Sequence, residues 1–550
     1  MSKIKIFGLG GLNENGKNLY VVEVDKKIFV FDAGLKYDND HNLGIDYIIP
    51  NFDYLVKNAK NVVGIFLSHG HDANVGAVSD ILRVLPNIKV YGTRLTLEIV
   101  RRDIGEDYQK YNLIEIKPHN KINFGKLVMF PISVTHSIPD ALLYVLYTKD
   151  GAIVYTGDYV FDSTATGPYK TDIGKLAYVG KQGVLCLLSE SFYAEREGHT
   201  SPYNRAGQFI REVLEKSNDR VIATIFPAHF YRMQEIIDEA IGTHRKLIIM
   251  GKQLQEIFSY ASQNGYIKLN KNIVGDLSNL NDKNALVLIS DEKEKPFANL
   301  RRIINGFDKY IKIKETDTIF ITEPTYDGIE KITAEIMDEV AMLGADAINL
   351  SSKDHLLHHA SQEDHMLMIN LMNPKYYFPV KGEYRYMLAN AKIADAVGIP
   401  KENLILKQNG EVCEIVNGNL NTNCFDKVKV GEILIDGNNG EDVGNLVLKD
   451  REMLGESGIV IISATLDKQT KKLVGGPEIL TRGFIFVKDN QELLEETRII
   501  SMEIINENVK DAVKRVDYSK IKNDVRDKLG HFFYEKTELN PMIITVIQEV

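Results

Sequence analysis

The sequence predicts an α/β protein of more than one domain, and three observations carry that expectation. Residues 1–160 hold many short, alternating β-type runs joined by polar turns. Residues from about 200 to 350 alternate strand and helix patterns, the rhythm a parallel sheet requires. Beyond a Gly/Asn-rich stretch around 431–444 the pattern starts afresh, and 550 residues exceed the length at which one core stops growing.

In the first part, strands are expected at 4–9, 19–24, 27–32, 62–67, 88–91, 127–134 and 153–155, with a helix over 75–85 beginning just after Asn74. The second part predicts helices at 206–215 and 233–241 and strands at 221–226, 246–250 and 286–289. After position 356 come a helix, a strand at 376–380 and a helix at 384–396. The segment Asp436-Gly437-Asn438-Asn439-Gly440 reads as a linker. Strands at 458–466 and 483–487, a charged helix over 492–513 and a helix near 521–533 complete the chain.

Composition narrows the function classes. A hydrophobic fraction of 44% with 26% charged residues is that of a folded globular chain. No apolar run approaches a bilayer span, and the start of the chain lacks the apolar core of a signal peptide, so a cytoplasmic protein with no membrane partner is expected. Cys186, Cys413 and Cys424 form no CxxC pair, which argues against a disulfide framework or a zinc ribbon and for inert thiols. The net charge of -10 excludes a generally basic nucleic-acid coat; RNA binding would need a local basic channel.

Two segments carry candidate chemistry. Gly11-Leu12-Asn13-Glu14-Asn15-Gly16-Lys17-Asn18 approaches a P-loop, but Asn18 replaces the magnesium-holding hydroxyl, and strand-like alternation follows where a phosphate-binding helix should begin. A hairpin turn is the expected structure. In Leu67-Ser68-His69-Gly70-His71, His69 and His71 alternate on an extended loop and can grip one metal ion from one side. His136 and Asp158 each follow a strand and can reach the same pocket. On spacing alone, a set of unrelated surface histidines fits equally well.

The order of the His-x-His loop, of His136-Ser137-Ile138-Pro139-Asp140 and of Thr156-Gly157-Asp158 resembles the metallo-β-lactamase fold as used by the ribonuclease J family. Leu9-Gly10-Gly11, Asp32-Ala33-Gly34, Gly44-Ile45-Asp46, Gly382-Glu383-Tyr384-Arg385 and Arg482-Gly483-Phe484 are similar to that family as well, so the resemblance runs nearly the full length. It implies an αββα metallo-β-lactamase sandwich over 1–200 and 351–425, an inserted β-CASP domain over 201–350, a linker over 426–445 and a small α/β oligomerisation domain over 446–550.

The same resemblance implies a two-metal site with one half intact: His69, His71 and His136, with Asp158 as the bridge. At the other half Ala73 stands where the family has an aspartate, and Asn74 and Lys381 stand where it has histidines. Ala73 has no donor atom, and an amide is a poor transition-metal ligand, so no firmly bound cofactor, or at most one zinc or manganese per chain, is expected. Lys381 is expected either to offset the charge of Asp158 with its ammonium or to point into solvent.

Segments that grip RNA in the family also differ here. Ser290-Asp291-Glu292-Lys293-Glu294-Lys295-Pro296 replaces small residues by charged ones, and acidic groups there would repel RNA. His355 and His359 in 355–360 and Arg232 in 227–232 keep family positions, where a phosphate contact and a structural role are both open. The function so implied is that of the family's degenerate second paralogue: a mainly non-catalytic subunit of an RNA maturation and decay complex, partnered by RNA, an active paralogue and further copies of itself. A weak one-metal exo- or endoribonuclease and a metal-free RNA-binding scaffold are the alternatives.

Overall fold

In a computed structural model, residues 2–37, 44–291, 293–294, 297–436, 441–442, 444–485, 490–510 and 516–550 are described. They fall into two compact units, parting between Ile435 and Asp436.

Two sheets dominate the first unit. One runs in the order Asn419–Leu420, Cys413–Val416, Lys3–Gly10, Leu19–Val24, Lys27–Phe31, Val62–Phe66, Lys89–Gly92 and Asn112–Glu115. The other runs Tyr376–Pro379, Val184–Ser189, Gly151–Tyr155, Leu142–Thr148, Leu127–Ser133 and Ile122–Phe124. Phe29, Phe31 and Phe66 of the first sheet share one buried cluster with Tyr144, Tyr155 and Phe378 of the second. Each outer face is covered by helices, Val78–Val84 and Arg94–Ile104 on one side and Ile173–Gln182, Gln362–Met372 and Tyr384–Val397 on the other. This is the expected αββα sandwich. Most of its strands are buried along nearly their whole length because each presents one side to the shared core and the other to helices.

Between the two lengths of chain that build the sandwich stands a five-stranded, all-parallel sheet ordered Lys246–Ile249, Ala285–Ile289, Val221–Thr224, Thr318–Ile321 and Asp346–Asn349. Apolar clusters cover both of its faces, as a parallel sheet needs. The second unit is a sheet ordered Leu473–Arg482, Ile459–Leu466 and Met542–Glu549, packed on the helices Gln491–Lys510 and Tyr518–Thr537.

Several expectations change. The helix placed over 75–85 is two pieces, Asp72–Val75 and Val78–Val84, and begins before Asn74, not after it. The strand expected at 483–487 is Leu473–Arg482 and stops where Gly483 takes a positive φ of 67°. Residues 486–487 of that expectation, and 511–513 of the charged helix, lie outside the described residues. The linker expected over 426–445 contains a strand, Glu432–Asp436, whose residues Glu432 to Ile435 pair antiparallel with Pro50 to Tyr47; positions 437–440 and 443 are not among the described residues. Strands Leu142–Thr148 and Val184–Ser189 were not anticipated, because both are buried along nearly their whole length and show no alternation. The P-loop-like segment is the expected turn between paired antiparallel strands, with Lys17 ion-paired to Glu14 at 3.0 Å.

Candidate metal centre

The site forms where strands end. Gly151–Tyr155, Val184–Ser189 and Tyr376–Pro379 run parallel, so the loops at their carboxyl ends emerge along one edge and carry Asp158, Glu190 and Lys381. From the facing sheet, Val62–Phe66 ends in the loop that bears His69 and His71. Asp32 anchors this loop. Its carboxylate accepts the Ser68 N–H at 2.7 Å, the Ser68 hydroxyl at 2.8 Å, the Asn74 amide at 2.7 Å and the Tyr155 hydroxyl at 2.6 Å. Four donors on one buried carboxylate fix the loop before any ligand arrives.

Each imidazole is held by its far nitrogen. His69 Nδ1 lies 2.9 Å from Ser68 Oγ, His71 Nε2 lies 3.2 Å from Ser137 Oγ, and His136 Nδ1 lies 2.7 Å from the His358 carbonyl oxygen, to which it donates. The near nitrogens then converge: His136 Nε2 is 3.1 Å from His71 Nδ1, and Asp158 Oδ2 is 3.3 Å from His69 Nε2 and 3.9 Å from His136 Nε2. Ligands around a tetrahedral zinc stand about 3.3 Å apart, given metal–nitrogen bonds of about 2.0–2.1 Å. Burial and the neighbouring His69 push His71 and His136 well below the ordinary imidazole pKa, which keeps both in the neutral, ligating form. Asp158 Oδ1 is buried without a hydrogen-bond partner. This half of the site fits one divalent cation.

The other half does not fit a second one. Lys381 is buried, and its ammonium donates to Asp158 Oδ2, the oxygen that faces the histidines. Burial alone would raise the Asp158 carboxyl, but Lys381, with His69 beside it, overcomes burial and holds it well below the usual carboxylate range. The Asn74 amide is turned to Asp32, and the Ala73 carbonyl accepts the Asn18 N–H at 3.1 Å. Ala73 offers no side-chain donor, the Asn74 amide nitrogen is spent on Asp32, and the Lys381 ammonium repels a cation. Of the two expectations for Lys381, the inward one is what the structure has.

The remaining candidates separate. His359 joins the site: its Nδ1 is 2.7 Å from Glu190 Oε2, and Asp158, Glu190 and His359 lie within 4.8 Å of one another. Glu190 escaped the sequence reading because a lone acid at the end of a buried strand has no spacing signal. His355 stands apart and half-buried, with Nδ1 3.3 Å from the Arg205 carbonyl. Arg232 is fully buried, its guanidinium on Glu235 and the Asn204 carbonyl, so the structure gives it the interior role and no open path to a phosphate. Glu292, Lys295 and Pro296 of the charged loop are outside the described residues.

Two facing mixed sheets flanked by helices, a histidine–carboxylate cluster at their strand ends and an intervening parallel sheet define a metallo-β-lactamase protein of the β-CASP kind. Comparisons agree in detail. Residues 218–340 match the ribonuclease J β-CASP domain, 348–403 the Zn-dependent metallo-hydrolase RNA specificity domain, and 446–550 the ribonuclease J C-terminal domain. The chain is 39% identical to ribonuclease J2 of Bacillus subtilis (strain 168) across 100% of this chain and 99% of that protein. It is 34% identical to ribonuclease J 2 of Staphylococcus epidermidis across 100% of this chain and 98% of that one. A crystal structure of a protein of unknown function from Enterococcus faecalis V583 shares the fold at a TM-score of 0.52 and 16% identity, covering 75% of this chain and 100% of its own. The chain belongs to the ribonuclease J family.

Proposed function

We propose that this chain is a mainly non-catalytic ribonuclease J subunit that assists RNA maturation and decay beside an active paralogue. One observation carries the reading: the Lys381 ammonium is bound to Asp158, the carboxylate that would otherwise bridge two cations. Two-metal hydrolysis needs ions about 3.5–4 Å apart to stabilise both the attacking and the leaving oxygen, and an ammonium supplies charge but no Lewis acidity. A second feature points the same way. A cleft of about 660 Å³ is lined by Glu195, Glu197, Asp327, Glu330 and Glu383 against Arg196, and its wall residue Phe192 lies 4.4 Å from the His359 ring. Such a lining disfavours a phosphodiester chain.

A one-metal ribonuclease is the second reading, favoured by the convergence of His69, His71, His136 and Asp158. A divalent cation held there would polarise a phosphoryl oxygen. Elemental analysis after chelator-free purification separates the possibilities: at most one transition metal per chain is expected, and two would overturn the ligand argument. With 5′-monophosphorylated RNA and manganese, turnover should be slight and unchanged by His69→Ala. A clear activity abolished by that substitution would establish the one-metal enzyme instead. Co-purification from the native cell tests for the active paralogue.

A further inference from the structure

The strands Lys27–Phe31, Val62–Phe66 and Lys89–Gly92 are neighbours and run parallel, so their first residues meet along one edge of the sandwich. The histidine loop lies past the last residues, about 20 Å away along the strands at about 3.3 Å per residue. At the starting edge a cleft of about 570 Å³ is lined by the exposed lysines Lys26, Lys27, Lys60 and Lys89. The partly buried Phe124 gives it an apolar wall, and Asn61 and Asn87 add amides. Among the described residues Asp25 is the one acid in this lining, and its carboxylate accepts the Lys3 N–H at 3.1 Å.

Lys27 donates to the Phe124 carbonyl at 2.8 Å. Among the described residues Lys26, Lys60 and Lys89 have no carboxylate partner, in a chain whose net charge is -10. Lysines often guard edge strands against pairing with other chains, but these three strands are interior to the eight-stranded sheet. Lys26 stands at a φ of 75° beside Asp25 at 46°, in the two-residue turn between the paired Val24 and Lys27, where glycine would sit without strain. The turn thus holds a charged side chain where the backbone favours none. Unpaired like charges gathered around one hollow repel one another, and an anion seated among them relieves that repulsion.

We propose that this edge is an RNA-holding surface, where Lys26, Lys60 and Lys89 take the phosphates of a single strand and Phe124 supports a base or ribose. A positively charged groove with an aromatic wall is how single strands are bound without regard to sequence. The acidic cleft beside His359 turns a phosphodiester chain away; the lysine edge supplies the local basic surface that an acidic chain needs in order to bind one. The proposal rests on the reading that the protein works on RNA, but not on the loss of the second cation.

The test titrates the full chain into a fluorescent single-stranded RNA in chelator, read by anisotropy over a range of salt. Lys26→Gln, Lys60→Gln and Lys89→Gln together should weaken binding by about tenfold. They should also flatten the slope of log K against log salt by about 2, since each phosphate contact on a single strand contributes about 0.7. Lys268→Gln, Lys271→Gln and Lys283→Gln remove the same charge from exposed positions of the inserted domain and should leave both quantities nearly unchanged. Equal weakening by the two sets, or none by the first, overturns the proposal. So does binding of polyglutamate or of phosphatidylserine vesicles that needs the first three lysines when binding of RNA does not. Acetylation of the unaltered chain covers the case in which a variant misfolds: bound RNA should shield Lys26, Lys60 and Lys89, and unchanged reactivity at all three overturns the surface. The two proposals fail separately. Brisk hydrolysis by the natural chain would refute the subunit role and leave this edge standing, whereas RNA binding indifferent to the first set would refute the edge alone.

Discussion

At Asp158 one buried oxygen faces two imidazoles and an ammonium, and the balance among them decides what the site holds. Lys381→Met removes the ammonium while keeping the volume. Breaking a buried pair typically costs about 3–5 kcal/mol, so the metal-free variant should melt well below the natural chain, and zinc should restore more stability to it than to the natural chain. Equal zinc responses in the two proteins, followed by differential scanning fluorimetry, would show that Lys381 does not compete with a cation. His365 supplies a pH test. Burial pushes its pKa down to about 3. The unfolded chain, with an imidazole pKa of about 6.5, takes up the proton first, so the stability from neutral His365 is present above that value and lost as pH falls below it. Between pH 7 and pH 5 this one group should remove about 2 kcal/mol. Urea unfolding of His365→Gln at both pH values should show a shallower loss than the natural chain; identical slopes would dismiss the assignment. Burial moves His71, His136 and His358 in the same direction.

The site depends at the next scale on how closely two loops approach. A Cβ built on Gly34 would stand 1.6 Å from the Ala73 carbonyl oxygen, a clash with backbone that no rotamer relieves. Gly34 lies two residues after Asp32, so the residue that anchors the histidine loop and the glycine that lets the loop approach belong to one turn. Gly34→Ala should therefore destabilise the chain by about 3 kcal/mol or more and loosen the histidine cluster with it. Chemical denaturation and zinc titration read the two effects; a variant with natural stability would mean that the loops can part at little cost.

For the molecule as a whole, the C-terminal sheet offers a face that its own helices leave open. Leu480 pairs with Ile461, and Ile461 with Ile544, so the three lie in one row; Leu480 is 53% and Ile544 40% exposed. An apolar row on an open sheet is the kind of surface that the self-association expected of this domain from the family resemblance would cover. Leu480→Lys with Ile544→Lys should shift sedimentation toward monomer and leave the unfolding of the domain nearly unchanged, since the face toward the helices is untouched. Oligomers that persist in the double variant would move the interface elsewhere. Among the described residues no helix is long and apolar enough to cross a membrane.

How far the chain could be read follows from the range of the forces. Local strand and helix patterns sufficed for the inserted parallel sheet, whereas the sandwich and His69, His71, His136 and Asp158 as one set came from the resemblance of the motif order to the ribonuclease J family. That Ala73 brings no side-chain donor was legible too, as a fact of composition. Only the tertiary structure decided the rest. It turned Lys381 inward onto Asp158, buried Arg232, brought Glu190 to His359 and set Glu294 against Asp72. Each of these is a contact between charged or polar groups far apart in sequence, and the desolvation and pairing that fix such contacts exist only once the chain has closed around them.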